Sequence, residues 1–306
     1  SGLGETLPNP HLLIYPFIRR EAVLSSRIEG TQSSLSDLLL FEATRVEKQR
    51  DVKEVQNYVR AIEYGLKCLD ELPLSLHLIC ELHSILMEGV RGAHATPGEF
   101  RQSQVWIGAP GCNLTEATFV PPLVQLALIH YQFETIHPFL DGNGRMGRLL
   151  ITLFLCQRGI LTKPLLYLSA FFERHRQEYY KHLLKVSQKG AWRQWIEFFL
   201  RAVTKQSSDA VMRAGYLLDL HQDYQQTSLR KHLPPTAGQL IELIFMRPVL
   251  NAKSAQEFLG VTFPAAQKAI QLLEEEGILV EITGGKRNKA YAATEILKIL
   301  ERDIPS

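Results

Sequence analysis

Residues 137–148 read His-Pro-Phe-Leu-Asp-Gly-Asn-Gly-Arg-Met-Gly-Arg, and the rest of the chain is best interpreted outward from them. The stretch combines an imidazole, a carboxylate, two glycines flanking an asparagine, and two arginines. The residues that follow, 149–156, are too apolar for a surface element and therefore predict a buried helix. The simplest structure is a loop leading into the N-terminus of that helix, where backbone N–H groups and the helix dipole favour an anion.

The loop has further features of an anion-binding turn. Gly142 and Gly144 let the backbone bend and approach a ligand without an intervening Cβ. Arg145 and Arg148 are one helical turn apart, so both can face the same anion. Asp141 would then lie beside several phosphate oxygens, a setting that suits Mg²⁺. A P-loop is excluded, because no Gly-Lys-Ser/Thr follows the glycines.

The pattern His-x-Phe-x-Asp-Gly-Asn-Gly-Arg-x-x-Arg is the signature of Fic proteins, and this sequence resembles that family with every position of the signature filled. The resemblance implies a mainly α Fic helical fold with a small β-hairpin flap. The activity it implies is transfer of AMP from ATP to a Tyr, Thr or Ser hydroxyl of a target protein.

The resemblance also implies roles for the side chains of the motif. His137 would take the hydroxyl proton, Asp141 would hold Mg²⁺ on the phosphates, and Asn143 would stabilise charge on the α-phosphate. Phe139 would pack inward and set the loop. Arg145 and Arg148 would hold the β- and γ-phosphates, and Tyr179 with Leu183 would form the base pocket. The implied nucleotide-binding set is Gly142, Asn143, Gly144, Arg145, Arg148, Tyr179 and Leu183.

A second motif lies near the start of the chain. Apolar residues recur with helical spacing over residues 16–29, and Gly30 is well placed to end that helix. Within it, Ser25, Glu29 and Gly30 form Ser-x-x-x-Glu-Gly, which resembles the inhibitory-helix motif of Fic proteins that carry their inhibitor at the N-terminus. The implied mechanism is that Glu29 pairs with Arg148 and takes the place of a phosphate.

Residues 105–121 predict a β-hairpin with a long connection that contains Gly, Pro and Asn. Its position before the motif resembles the flap of Fic proteins, which holds a target segment by adding a strand to it. A plain structural hairpin is the alternative interpretation.

The C-terminal part predicts a separate winged helix-turn-helix domain. The sequence His-Leu-Pro-Pro at 232–235 marks a boundary, and Thr236 with Gln239 forms a capping-box pattern that opens a helix. Further helices are predicted at 252–259 and 263–276, followed by a strand at 278–283 and a return strand after a turn. This order is that of a winged helix.

The charge of this tail gives a poor footprint for DNA. From 236 to 306 there are five Lys and three Arg against eight Glu and one Asp. The candidate recognition helix carries Lys268 but also Glu274, Glu275 and Glu276. Phosphate neutralisation supplies much of DNA affinity, so DNA contact is weakly supported, and a protein-interaction module or a homodimer stays open.

The chain of 306 residues is predicted to divide into four regions, and its charge is balanced, with 34 Lys and Arg against 32 Asp and Glu. The four cysteines are scattered without metal-binding spacing, and no signal peptide or membrane-length apolar run occurs. A cytoplasmic setting without membrane contact is expected. The regions are an N-terminal part with the inhibitory helix (1–60), a Fic core (61–205), a connecting helix and linker (206–235), and the winged helix (236–306).

Two alternatives to forward AMP transfer remain at this stage. The same residues could remove AMP from a target or transfer another nucleotide or phosphate group. The chain could instead be a transcriptional regulator whose Fic site senses nucleotide.

Overall fold

The computed structural model describes residues 11–44, 51–90, 96–100, 122–285 and 289–302, with side chains from residue 13 onward. Of the described residues, 73% are helical, and they include a small three-stranded antiparallel sheet. The predicted mainly α fold class is therefore confirmed. The predicted hairpin flap at 105–121 lies outside the described residues.

The described helices are numbered here in chain order. They are α1 (His11–Ile28), α2 (Leu35–Thr44), α3 (Val52–Leu69), α4 (Leu76–Leu86), α5 (Pro122–Ile136), α6 (Asn143–Gln157), α7 (Ser169–Arg174), α8 (Arg176–Lys189), α9 (Trp192–Arg230), α10 (Pro235–Met246), α11 (Ala252–Leu259), α12 (Phe263–Glu275) and α13 (Thr294–Glu301). The strands are β1 (Val249–Asn251), β2 (Val280–Glu281) and β3 (Ala290–Ala292).

The described residues fall into two compact units. The first takes its residues from Leu24–Thr31 and Lys53–Ser208, and the second from Gly2–Val23, Gln32–Val52 and Asp209–Ser306. The units divide the chain differently from the four regions expected from the sequence, so those regions remain a prediction. The residues of both sequence motifs belong to the first unit.

Helix α6 forms the centre of the first unit. Every residue from Leu149 to Leu155 is buried, as the apolar composition predicts for a helix without a solvent-facing side. A cluster of aromatic side chains from α7, α8 and α9, including Phe172, Trp195 and Phe199, belongs to the same core. This packing fixes the helix whose N-terminus carries the Fic motif.

Helix α9 is longer than the sequence suggested. A connecting helix was expected to begin a new region at residue 206, but α9 runs across that boundary without a break for 39 residues. No Gly or Pro lies between 196 and 214, so nothing in that stretch ends the helix. No helix in the described part of the chain is long and apolar enough to cross a membrane.

The second unit contains the sheet, in the order β1-β3-β2 with both pairings antiparallel. Helices α11 and α12 lie close to the predicted bounds, and Gly260 and Gly277 adopt positive φ beyond their C-terminal ends. The strand predicted at 278–283 is shorter than expected, and β1 was not predicted. The assignment of this region to the winged helix class stays a prediction.

The capping box predicted at Thr236 is wrong. The structure starts α10 at Pro235, with Pro234 as N-cap and no side-chain cap. Proline suits the first helical position, because its fixed φ is already helical and that position has no intrahelical partner for an N–H.

Candidate active site

The chain turns sharply between α5 and α6, and His137 lies at the start of that turn. Its N–H donates to the carbonyl of Phe133 over 2.9 Å. Its φ is +50°, in the left-handed region that costs a residue with a Cβ about 1–2 kcal/mol. Such strain persists only where the surrounding structure compensates for it, and it is concentrated at functional sites.

The imidazole of His137 is oriented by a backbone carbonyl. Its Nδ1 lies 3.3 Å from the carbonyl oxygen of Glu134. Because a carbonyl only accepts, Nδ1 carries the hydrogen and Nε2 is the basic nitrogen of the neutral ring. This is the tautomer in which Nε2 can take a proton.

Asp141 and Gly142 form the turn that begins α6. Gly142 is the N-cap, with a φ of +78° that glycine adopts without strain. Its N–H donates to Oδ1 of Asp141 over 2.6 Å. A Cβ at Gly142 would lie 2.8 Å from Sδ of Met87, so a larger residue would push the loop away from the end of α4.

Asn143 closes the loop on the backbone of Phe139. Its Oδ1 accepts from the Phe139 N–H over 2.9 Å, and its Nδ2 donates to the Phe139 carbonyl over 2.8 Å. The Phe139 ring is fully buried, which confirms the expectation that it packs inward. The structure therefore uses Asn143 to hold the loop, and its role toward a phosphate remains a prediction.

Arg148 is bound by the end of α1 through its guanidinium. Its Nε donates to Ser25 Oγ over 2.9 Å, and its Nη2 donates to the Ser25 carbonyl and to Glu29 Oε1, each over 2.8 Å. The residues of the N-terminal motif and the last arginine of the Fic motif are therefore in direct contact. Gly30 has a φ of +99°, beyond the end of the helix at Ile28.

The charge of Arg148 governs the ionisation of Glu29. Burial alone would raise the pKa of the Glu29 carboxyl, but the charge and hydrogen bond of Arg148 outweigh it, so that the pKa lies below its ordinary value. The ion pair is therefore complete at neutral pH, and it is lost only as the pH falls through this depressed pKa.

Gly144 is the position where the backbone of the loop meets Glu29. A Cβ at Gly144 would collide with Oε1 of Glu29 and would lie 3.0 Å from Nη1 of Arg148. Only glycine therefore lets a carboxylate lie directly on the first turn of α6. The same space is the one a phosphate would need to reach the N–H groups of that turn.

Arg145 has a different partner. Its Nη1 lies 2.7 Å from Oε1 of Glu54 on α3, and the two side chains are 3% and 5% exposed. Its Nη2 contacts Sδ of Met87 at 3.5 Å. Both arginines of the motif are thus buried in ion pairs, but with carboxylates from different helices.

The tyrosine pair of α8 is divided between core and surface. Tyr179 is 1% exposed, and its hydroxyl lies 2.9 Å from Nε2 of His130. His130 Nδ1 must donate to the Gly147 carbonyl at 3.2 Å, so Nε2 accepts from the Tyr179 hydroxyl. Burial lowers the pKa of His130 to about 3, which keeps the ring neutral. Tyr180 is 44% exposed, so Tyr180 is the accessible ring of the pair.

Glu134 adds a second carboxyl beside Arg148. Burial raises its pKa to about 7; the charge of Arg148 acts in the opposite direction, and that of Glu29 adds to the rise. Its Oε1 lies 3.9 Å from Nε2 of His130, and none of the described groups donates a hydrogen bond to that oxygen. A Cβ at Gly147 would collide with it, which accounts for the glycine.

Sequence reasoning missed several contributors to this site. His83, Glu54, His130 and Glu134 belong to no motif, and the sequence assigned them no role in the site. In the sequence, each of them is recognisable only as a charged or polar residue on a helix side that is otherwise apolar. Among the described residues, no group of three or more His, Cys, Asp or Glu could hold a metal ion by itself, so Asp141 would have to share one with a ligand.

Comparison with known protein families gives two matches in this chain. The Fic/DOC family N-terminal model matches residues 1–67, and the Fic/DOC family model matches residues 73–155. Residues 1–67 and 73–155 therefore carry the two Fic domains. The second match includes the whole loop from His137 to Arg148, and the first includes Ser25 and Glu29.

Curated relatives of this chain include proteins named protein adenylyltransferase Fic from Drosophila species. That of Drosophila grimshawi is 27% identical over 203 residues, which cover 58% of this chain and 40% of that protein. That of Drosophila virilis is 27% identical and is covered to 39%. The chain therefore spans about two fifths of the length of these relatives.

Solved structures support the Fic fold. A Fic family protein from Desulfovibrio desulfuricans G20 aligns with a TM-score of 0.56 at 20% identity, over 95% of this chain and 90% of that one. Residues 134–508 of Fic-1 from C. elegans align with a TM-score of 0.51 at 22% identity, over 72% of this chain and 67% of that one.

Proposed function

We propose that this protein is an adenylyltransferase that transfers AMP from ATP to a Tyr, Thr or Ser hydroxyl of a target protein, and that Glu29 holds it inactive. The observation that carries the proposal is the contact of Glu29 with Arg148 directly above Gly144. A complete Fic loop is present, and a carboxylate of the same chain occupies the place where the loop would receive a phosphate. The names of the relatives support the activity.

In the proposed reaction the target hydroxyl oxygen attacks the α-phosphorus, the bond from that phosphorus to the bridging oxygen of the β-phosphate breaks, and pyrophosphate leaves. Nε2 of His137 takes the hydroxyl proton, since Nδ1 already donates to the Glu134 carbonyl. No covalent enzyme intermediate is needed. Positioning and charge stabilisation do the remaining work.

Of the N–H groups expected to bind the phosphates, that of Gly142 already donates to Asp141, so those of residues 143–145 would bind them together with Arg148. Glu29 and a γ-phosphate cannot both occupy the same donors of the Arg148 guanidinium. Arg145 was also expected to hold a phosphate. Because it is already paired with Glu54, it would have to bind the phosphate and Glu54 at the same time. For the base pocket, the expected Tyr179 is buried against His130, so its neighbour Tyr180 offers the exposed ring. Leu183 is half-buried at the core surface.

Asp141 fits the role of a Mg²⁺ ligand. One of its oxygens accepts from the Gly142 N–H, which aims the carboxylate toward the first turn of α6. Mg²⁺ is commonly bound by one or two carboxylates together with substrate phosphates and waters. A single aspartate is therefore sufficient as the protein ligand. When bound, the ion would neutralise charge on the phosphates.

The target is expected to dock at the flap, residues 105–121, which lies outside the described residues. Removal of AMP and a regulator that senses nucleotide remain outcomes of the test rather than separate proposals, because no contact in the described structure favours them.

The test is transfer of AMP from ATP labelled at the α-phosphate, measured as auto-modification or as labelling of proteins in a lysate. We expect Glu29→Gly to label about 10²-fold faster than the unmodified protein, since misplacement of reacting groups by about 1 Å costs on that order. Glu29→Gly with Arg148→Ala should lose the gain. Glu29→Gly with His137→Ala should be slower than Glu29→Gly by about 10²–10⁴-fold.

Two results would contradict the proposal. One is an unchanged rate in Glu29→Gly, and the other is a gain that persists without Arg148. Label transfer at the full rate without His137 would remove that residue from the mechanism.

A further inference from the structure

His83 on α4 joins three parts of the active site. Its Nε2 lies 2.9 Å from the carbonyl oxygen of Asp141, and its Nδ1 accepts from the Gly98 N–H over 2.9 Å. Its ring stacks on Phe139 with centroids 3.6 Å apart and an angle of 8° between the planes. One side chain therefore contacts the metal-ligand turn, the buried anchor of the loop and the chain segment at residues 98–100.

The two hydrogen bonds fix the tautomer of His83. The Gly98 N–H can only donate, so Nδ1 carries no hydrogen, and Nε2–H donates to the Asp141 carbonyl. No residue but histidine places an acceptor and a donor on opposite sides of one flat ring of this size. The side chain is 1% exposed, so water cannot substitute for either bond.

The segment that His83 holds at Nδ1 is packed closely against α4 and Phe139. Gly98 has a φ of +83°, and a Cβ there would lie 3.1 Å from the Cys80 carbonyl and 3.2 Å from Cβ of Ser84. The backbone of Gly98 is therefore pressed against α4. Two residues later, Phe100 stacks with Phe139 at 5.4 Å between ring centroids.

We propose that His83 is a positioning residue for AMP transfer: it sets the Asp141–Gly142 turn relative to the chain segment at residues 98–100. The inference rests on the proposed function, because it assigns His83 to the same reaction. Through Nε2–H it holds the carbonyl of the residue that would bind Mg²⁺, and through Nδ1 it holds the backbone of Gly98. Loss of the first bond should misplace the metal and phosphates, whereas loss of the second should loosen only the segment at residues 98–100.

Three substitutions separate these contributions. His83→Phe keeps a flat ring against Phe139 and removes both hydrogen bonds. In His83→Gln the side-chain amide reaches about as far as Nε2, so it can donate to the Asp141 carbonyl. In His83→Asn the amide oxygen reaches about as far as Nδ1, so it can accept from Gly98. His77 on the same helix, whose side chain is 85% exposed, gives the matched control His77→Gln.

The assay is auto-modification with α-labelled ATP in the Glu29→Gly background, with Mg²⁺ titrated for each variant. We expect His83→Phe and His83→Asn to lose about 10²-fold in rate and to need more Mg²⁺ for half of their maximal rate. His83→Gln should recover to within about tenfold of the parent, and His77→Gln should match it. A full rate in His83→Phe, or equal losses in the Gln and Asn variants, would overturn the proposal.

A second readout does not require activity. Long-range ¹H–¹⁵N NMR of the unmodified protein should show His83 with hydrogen on Nε2 only, and the Gly98 amide should exchange slowly in the parent and in His83→Asn but fast in His83→Phe. A hydrogen on Nδ1, or a Gly98 amide that exchanges equally in all variants, would contradict the inference. If the NMR results are as expected but Glu29→Gly transfers no AMP, the proposed function fails while the contacts of His83 stand.

Discussion

Two arginine–glutamate ion pairs lie beside the loop at residues 137–148. They differ in the solvent exposure of the glutamate rather than of the arginine. Arg145 and Glu54 are 2.7 Å apart with side chains 3% and 5% exposed. Arg148 and Glu29 are 2.8 Å apart, but the Glu29 side chain is 32% exposed while that of Arg148 is 1% exposed. Both arginines lie on the first turns of α6 at similar depth. Only one of the two carboxylates can be reached from solvent.

The difference indicates which pair can be exchanged for a ligand. Glu54 lies within α3, so that withdrawing it would require the helix to move and would leave a buried guanidinium unpaired. Glu29 follows the last residue of α1, and an incoming anion can take its place while Ser25 keeps two hydrogen bonds to Arg148. The Arg145 pair is therefore expected to maintain the fold, and the Arg148 pair to regulate access to the loop.

The largest effect should come from Glu54. Glu54→Ala leaves Arg145 as an uncompensated buried charge, which typically costs about 3–5 kcal/mol. We expect a loss of that order in the free energy of unfolding, measured with urea. The matched variant Glu29→Ala should cost far less, because its carboxylate is partly exposed and Arg148 retains Ser25. Equal losses from the two variants would remove the distinction between the pairs.

An intermediate effect concerns Glu134, the second carboxyl beside Arg148. In the folded protein its pKa is raised from 4.5 to about 7, so the folded state binds more protons than the unfolded state between these values. The free energy of unfolding should therefore fall as the pH rises through that window. One proton changes it by at most about 1.4 kcal/mol for each pH unit.

Melting temperatures measured from pH 5 to pH 8 would test this dependence. Glu134→Gln should flatten the profile in that window, since the amide does not titrate. A profile with the same slope in Glu134→Gln would assign the pH dependence to other groups.

The smallest effect is expected for Ser25. Ser25→Ala removes one hydrogen bond to Nε of Arg148 but leaves the Ser25 carbonyl and Glu29 in place. A single hydrogen bond contributes about 0.5–1.5 kcal/mol, so we expect Ser25→Ala to raise the labelling rate several-fold, well below the gain in Glu29→Gly. Activation as strong as that of Glu29→Gly would mean that Ser25, rather than the carboxylate, closes the site.

The sequence determined the loop and the helix behind it. The left-handed backbone of Gly142, the inward packing of Phe139 and the burial of the apolar run 149–156 follow from local sequence. Each can be recognised from neighbours within a few residues. The contact between Glu29 and Arg148 was also predictable, although 119 positions separate the two residues. That prediction came from two complete motifs of one family and not from local periodicity.

Only the tertiary structure decided the partners that carry no motif. A glutamate in α3 could equally well be a solvated charge, and nothing near Glu54 in the sequence indicates that it would meet Arg145. His83 and His130 have the spacing of ordinary core histidines, and their hydrogen bonds to Asp141 and Tyr179 arise only when distant helices pack. Local patterns fix the conformation of a loop because they act through the backbone of adjacent residues. The partner of a buried charge is fixed by the packing of residues that are distant in the sequence. This packing cannot be recognised from the order of residues in one chain.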